Sequence, residues 1–151
     1  MDASEFRFRL ERVRALRERN ADLAKQELAA ALGKLSDSED RLRTVGARLE
    51  QAQREQRSAS DSRSFNGADL CASQAFLERV EAQRSAGVED LRRSEGEVAN
   101  RGAALSEAAQ EHKMLERLKQ RHRAEHVREL ARRERATLDE IAIERFRRST
   151  A

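Results

Sequence analysis

The chain has 151 residues, of which 39% are charged and 3% aromatic, and it contains no proline, tryptophan or tyrosine. So few large apolar side chains cannot fill a globular core, and this composition argues against the enclosed pocket that most enzymes need. Proline costs a helix interior about 3 kcal/mol, so its absence allows long uninterrupted helices. The net charge is +3, and the basic residues are concentrated in residues 1–20 and 112–151. The composition therefore favours an elongated coiled coil.

The first predicted element is a helix over about residues 4–57. Leucines recur there every seven residues, with a small or apolar residue three positions after most of them, as in a coiled-coil seam. These leucines are Leu28, Leu35, Leu42 and Leu49. An upstream stripe follows the same spacing but one residue out of phase: Phe6, Leu10, Val13, Asn20 and Leu23. The pattern therefore predicts a phase skip in the seam near Ala24.

A turn is predicted over about residues 58–67, where serines alternate and Asn66-Gly67 follows. Asn66 is the expected N-cap of a second helix over about residues 68–148. Five residues weaken the apolar seam of that helix and predict loose packing: Arg84, Gly87, Ser94, Arg101 and His112. The fold class expected is all-α, a long two-helix antiparallel coiled-coil hairpin, with residues 1–151 forming one domain.

A turn near residue 65 pairs residue i with about residue 130 − i in such a hairpin. Phe6 then lies close to residue 124, and the last ~20 residues extend beyond the first helix. The phenylalanines lie near the termini or near the turn and are absent from the central seam. Apolar rings at both ends of a charged hairpin predict partner contacts at both ends.

The chemical motifs favour no enzyme, metal or cofactor. His122 and His126 match an H-x-x-E-H zinc pattern, but a third ligand and a cleft are not evident, so two histidines on a solvated helix are expected. Cys71 is the only cysteine, which excludes an internal disulfide and indicates a reducing compartment. Acidic residues interleave with the terminal arginines, and no aromatic residues do, which makes nucleic-acid binding a minor alternative. Neither a signal peptide nor a membrane-spanning segment is expected.

The two ends of the chain resemble the flagellar export protein FliJ family. The first helix is similar in residues 6–19, FRFRLERVRALRER, and in residues 24–32, AKQELAAAL. The second is similar at residues 76–80, FLERV, and in the segments 115–119 and 133–142, the latter ending in LDEIA. The resemblance extends over the whole chain.

The resemblance implies a non-enzymatic stalk of the flagellar type III export apparatus, located in the cytoplasm and peripherally at the inner membrane. Its implied partners are the export ATPase with its regulator, the membrane protein of the export gate, and export chaperones. Residues expected at the ATPase are Phe6, Phe8, Leu10, Arg132, Arg133, Arg135, Leu138 and Ile141. Residues expected at the export gate are Phe65, Leu70, Phe76 and Val80. The alternatives are a generic coiled-coil scaffold and the equivalent stalk of a virulence type III secretion system.

Overall fold

A computed structural model describes residues 6–61 and 66–149 and contains two α-helices there. Helix α1 runs from Glu11 to Ser60, and helix α2 from Gly67 to Ser149. The first helix begins later than the position near residue 4 that the sequence predicts. Residues 6–10 precede it, and the first helical hydrogen bond joins the Arg14 amide to the Leu10 carbonyl at 2.9 Å.

Helix α2 begins at the cap that the sequence predicts. The carbonyl oxygen of Asn66 accepts the backbone amide of Leu70 at 3.2 Å, and its side-chain Oδ1 accepts the amide of Ala68 at 3.4 Å. The Leu70 contact is the first helical hydrogen bond of α2, and the side-chain contact satisfies the Ala68 amide, which has no partner within the helix. The N-cap prediction is confirmed.

The chain divides into two compact units, and each contains part of both helices. The first, unit 1, comprises residues 1–22 and 107–151, and the second, unit 2, comprises residues 23–106. Within unit 1, Glu11 contacts Lys119 and Arg14 contacts Glu116. Within unit 2, contacts join Glu27 to Arg101, Lys34 to Glu97 and Gln56 to Gln74. In both units residue i lies opposite about residue 130 − i, so the helices are antiparallel. The predicted all-α helical hairpin is confirmed.

Unit 2 has its apolar core close to the turn. Leu49, Ala52, Leu77 and Val80 are buried together, and Val45 packs against them. Val80 is 2% exposed. Large and small residues alternate across this interface, as close packing of two helices requires.

The weak seam residues of α2 lie opposite larger or polar partners of α1. Gly87 faces Leu42, and Ser94 faces Ser38 with their hydroxyl oxygens 3.1 Å apart. Ser38 is only 3% exposed, and its hydroxyl also donates to the Lys34 carbonyl at 2.9 Å. These small and polar residues of α2 therefore complement their counterparts on α1.

The predicted phase skip near Ala24 is wrong. Ala21 and Ala24 are buried in line with Ala31, whereas Leu23 is 56% exposed. The heptad phase thus continues towards the N-terminus, where it places Arg14 against α2. Ion pairs with Glu116 of α2 and with Glu11 and Glu18 of its own helix satisfy the charge of Arg14, so the helix does not rotate to bury its leucines.

Candidate functional site

The residues that precede α1 pack against histidines of α2. The rings of Phe8 and His122 meet edge to face with centroids 5.9 Å apart, and those of Phe6 and His126 lie 5.8 Å apart. Phe8 is 8% exposed, and Phe6 is half-buried. Such ring pairs contribute about 0.5–1.5 kcal/mol beyond the area they bury. Phe8 therefore offers little surface to a partner.

These ring contacts revise the interpretation of the histidine pair. We expected two solvated imidazoles, whereas His126 is half-buried against Phe6 and its Nε2 atom lacks a hydrogen-bond partner. In the described part of the chain, no group of three or more histidine, cysteine or carboxylate side chains is placed to hold a metal ion. The histidines face the rings of Phe6 and Phe8. The sequence contained a signal for this, because pairing residue i with about residue 130 − i puts these two phenylalanines opposite the histidines.

A charged cluster joins the start of α1 to α2. Glu11 contacts Arg14 at 2.8 Å and Lys119 at 2.9 Å, and Arg14 also contacts Glu116 at 2.7 Å. The hydrogen bond from Arg14, followed by that from Lys119, lowers the pKa of Glu11. The hydrogen bond to Glu11 raises the pKa of Arg14 further above its usual range. This cluster holds the two helices of unit 1 in register.

Beyond His126, helix α2 continues as a segment, residues 127–149, that is exposed except at the half-buried Leu130 and that we call the tail. Every residue from Ala131 to Ser149 is exposed. Because a helix turns by about 100° per residue, four apolar side chains fall on one face of the tail. We call them the tail stripe: Val127, Leu130, Leu138 and Ile141. Leu138 is 64% exposed and Ile141 44%.

One flank of the tail stripe is mainly basic, with Asp139 beside its arginines. Arg128, Arg132 and Arg135 are spaced i, i+4 and i+7, which puts them on one side of a helix. We call them the basic strip. They are exposed and make no ion pair within the described residues. The sequence grouped Arg132 and Arg135 with Arg133, but Arg133 lies on the other flank and contacts Glu129 at 3.2 Å. Arg128 was missed, although its helical spacing would have identified it.

The residues predicted near the turn differ in accessibility. Leu70 and Phe76 are each 44% exposed, whereas Val80 is buried in the core of unit 2. Phe65 lies outside the described residues. Among the described residues of this set, Leu70 and Phe76 present apolar surface near the turn.

The chain matches the family described as flagellar FliJ protein over residues 6–151. The chain belongs to the FliJ family. Membership makes it a coiled-coil protein associated with flagellar protein export, in a family of structural export components rather than enzymes. No curated protein and no solved structure matches the chain. Within the described residues, neither helix contains a stretch long and apolar enough to span a membrane.

Proposed function

We propose that the protein is the non-enzymatic stalk of the flagellar type III export apparatus and that its terminal residues bind inside the ring of the export ATPase. The tail carries this proposal. It combines an exposed apolar stripe with three arginines that have no ion-pair partner among the described residues. Apolar side chains beside a charged flank are the usual composition of a helix that docks into a groove.

The tail also has a charge pattern suited to orienting a partner. The basic strip occupies one flank of the tail stripe, while the other flank carries Glu129 paired with Arg133 and Glu144 paired with Arg148. Exposed ion pairs contribute only about 0–1 kcal/mol to stability, but an unpaired cluster of one sign attracts an opposite surface. We propose an acidic surface on the ATPase as the complement of the basic strip.

We propose further that the surface near the turn contacts the export gate through Leu70 and Phe76, which are both partly exposed. Phe65 belongs to the same proposal on sequence grounds alone. Escort of export chaperones, contact with the ATPase regulator, and a cytoplasmic position at the flagellar base complete the proposed role. These follow from what the family implies about partners.

The decisive experiment measures binding of the purified chain to the cognate flagellar export ATPase. Replacing Leu138 and Ile141 with serine should weaken binding at least tenfold, because both side chains are exposed on the tail stripe. Replacing Leu32, which is 48% exposed on α1, with serine is the matched control and should leave affinity unchanged. Equal affinity of the tail variant and the parent would refute the proposed contact.

A further inference from the structure

The interface between the helices of unit 1 contains charges where a coiled coil normally contains leucines. Arg14 contacts Glu116 at 2.7 Å, and Arg17 contacts Glu111 at 2.6 Å. In the heptad that buries Ala21, Arg14 occupies position a and Arg17 position d. Large apolar side chains of this part of α1 therefore lie outside the interface.

On α1 the displaced side chains share one flank. Relative to Arg14 at position a, Val13 is at g and Leu16 at c, which are neighbouring positions on the side of d. Val13 is 41% exposed and Leu16 54%. Both side chains face outwards beside the contact between the two helices.

On α2 the same flank is apolar. Leu115 lies in the interface at position d, which places Met114 at c and Leu118 at g. Antiparallel helices that pack through a and d bring their g flanks to the same side of the pair. Met114 is 68% exposed, and Leu118 is half-buried. The two helices thus form one apolar patch, which consists of Val13, Leu16, Met114 and Leu118.

The opposite side of the pair is polar. Glu11, Arg14, Glu116 and Lys119 form the charged cluster there, with contacts of 2.7–2.9 Å. Charged side chains therefore dominate that side of the pair. Singly exposed leucines need no explanation, but four apolar residues collected on one flank indicate a binding surface.

Basic residues border the apolar patch. Helical positions c and f place three arginines around it: Arg12, Arg117 and Arg121. All three are exposed, and none makes an ion pair with another described residue. Two carboxylates also lie at position g of α2: Glu111, which is already bound to Arg17, and Glu125, one turn beyond Arg121. The surface is therefore apolar at its centre and positive at its edge.

We propose that the apolar patch docks an amphipathic helix of a partner protein whose apolar face is bordered by acidic residues. Such a helix would lie along the groove between α1 and α2 and form a three-helix arrangement. Its carboxylates would neutralise the three bordering arginines. A second copy of this chain fits less well, because the same arginines on both copies would repel each other. The apolar patch does not include the tail stripe or the basic strip, so this proposal is independent of the tail contact.

The probe is a dye-labelled three-heptad peptide with leucine at a and d and glutamate at e and g. Glutamate repulsion keeps this peptide from pairing with itself. A second peptide carries lysine in place of every glutamate. Fluorescence anisotropy with the full chain should show saturable binding of the acidic peptide and at least tenfold weaker binding of the lysine peptide. Equal binding of both peptides would overturn the proposal.

Variants locate the binding surface. Replacing Val13, Leu16 and Met114 with serine should weaken acidic-peptide binding at least tenfold, whereas the Leu138 and Ile141 serine variant should bind like the parent. Circular dichroism should show both variants folded, since all five side chains are exposed. Loss of peptide binding in the tail variant alone would overturn the proposal. So would a dimer of the parent that the patch substitutions dissociate, because a second copy would then cover the patch.

Discussion

Gly87 faces Leu42 so closely that a Cβ atom on the glycine would lie 3.2 Å from Leu42 Cδ1. In contrast, a Cβ atom at Gly96 would meet nothing within 4 Å. Both glycines lie inside α2, where glycine is entropically unfavourable. The same substitution should therefore have different consequences at the two positions.

Gly96→Ala should stabilise the protein by about 0.5–1 kcal/mol, because alanine restricts the unfolded chain and finds open space in the helix. Gly87→Ala should stabilise the protein less, since Leu42 must move by a few tenths of an ångström to accept the methyl group. Urea titrations monitored by circular dichroism would compare the two variants. A larger increase in the free energy of unfolding for Gly87→Ala than for Gly96→Ala would contradict the close packing of Gly87 against Leu42.

Truncation of Leu49 should be costly. Its side chain is buried with Ala52, Leu77 and Val80, so Leu49→Ala should destabilise the protein by about 2–5 kcal/mol. Leu32 is 48% exposed on the same helix, and Leu32→Ala should change stability by no more than about 0.5 kcal/mol. Thermal melts of both variants measure the difference. Similar melting temperatures for the two variants would show that the core of unit 2 contributes little to the stability of the protein.

Acid should remove the contribution of Glu11. The hydrogen bond from Arg14 lowers the pKa of Glu11 in the folded protein, so the ionised form is favoured by folding. This stabilisation is complete above the pKa of an unfolded glutamate, about 4.3, and is lost as the pH falls through the lower pKa of the folded state.

The parent should therefore melt at a higher temperature than Glu11→Gln at neutral pH, and the two should converge below about pH 4. Glu50 is exposed on α1, and Glu50→Gln is the control, which should leave the melting temperature close to that of the parent at neutral pH. A constant difference between parent and Glu11→Gln across the whole acid range would argue against the ion pairs as its source.

Charge reversal of the basic strip should weaken binding to the export ATPase without unfolding the chain. Arg128, Arg132 and Arg135 are exposed and make no ion pair with described residues, so changing them to glutamate removes attraction but no internal contact. We expect an affinity loss that diminishes at high salt, because salt screens exposed charges.

A matched variant tests whether position or net charge is responsible. Arg48, Arg54 and Arg79 are exposed arginines of unit 2, and reversing them changes the net charge by the same amount. This control should bind the ATPase like the parent at equal ionic strength. Equal weakening by both triple variants would mean that total charge, rather than the basic strip, governs binding.

The hairpin and its register could be predicted because the leucine heptads of α1 are strict and no proline interrupts either helix. The burial of Leu49 follows from that periodicity alone. The phase near the N-terminus could not be predicted in the same way. Arg14 stays in the interface because Glu116, far away in sequence, lies within 2.7 Å of it in the fold. Apolar periodicity contains no information on such a distant partner.

The candidate surfaces show a similar division. An exposed tail with unpaired arginines was predictable from the unequal lengths of the two helices. The grouping of Arg133 with Arg132 failed because residues adjacent in sequence point about 100° apart on a helix. The apolar patch was not predictable from the sequence. Val13 and Leu16 lie outside the interface because Arg14 and Arg17 occupy it, and this depends on ion pairs with distant residues of α2.

The opposed register of α1 and α2 limits how the length of the protein can vary among its relatives. In unit 2, Leu42 is opposed by Gly87 and Ser38 by Ser94, so losing one heptad from α1 alone would pair each leucine with the wrong neighbour. A deletion between residues 24 and 49 has to be compensated by an equal deletion between residues 80 and 105. Insertions and deletions in unit 2 should therefore occur as matched pairs of whole heptads, whereas the tail is free to vary in length by itself.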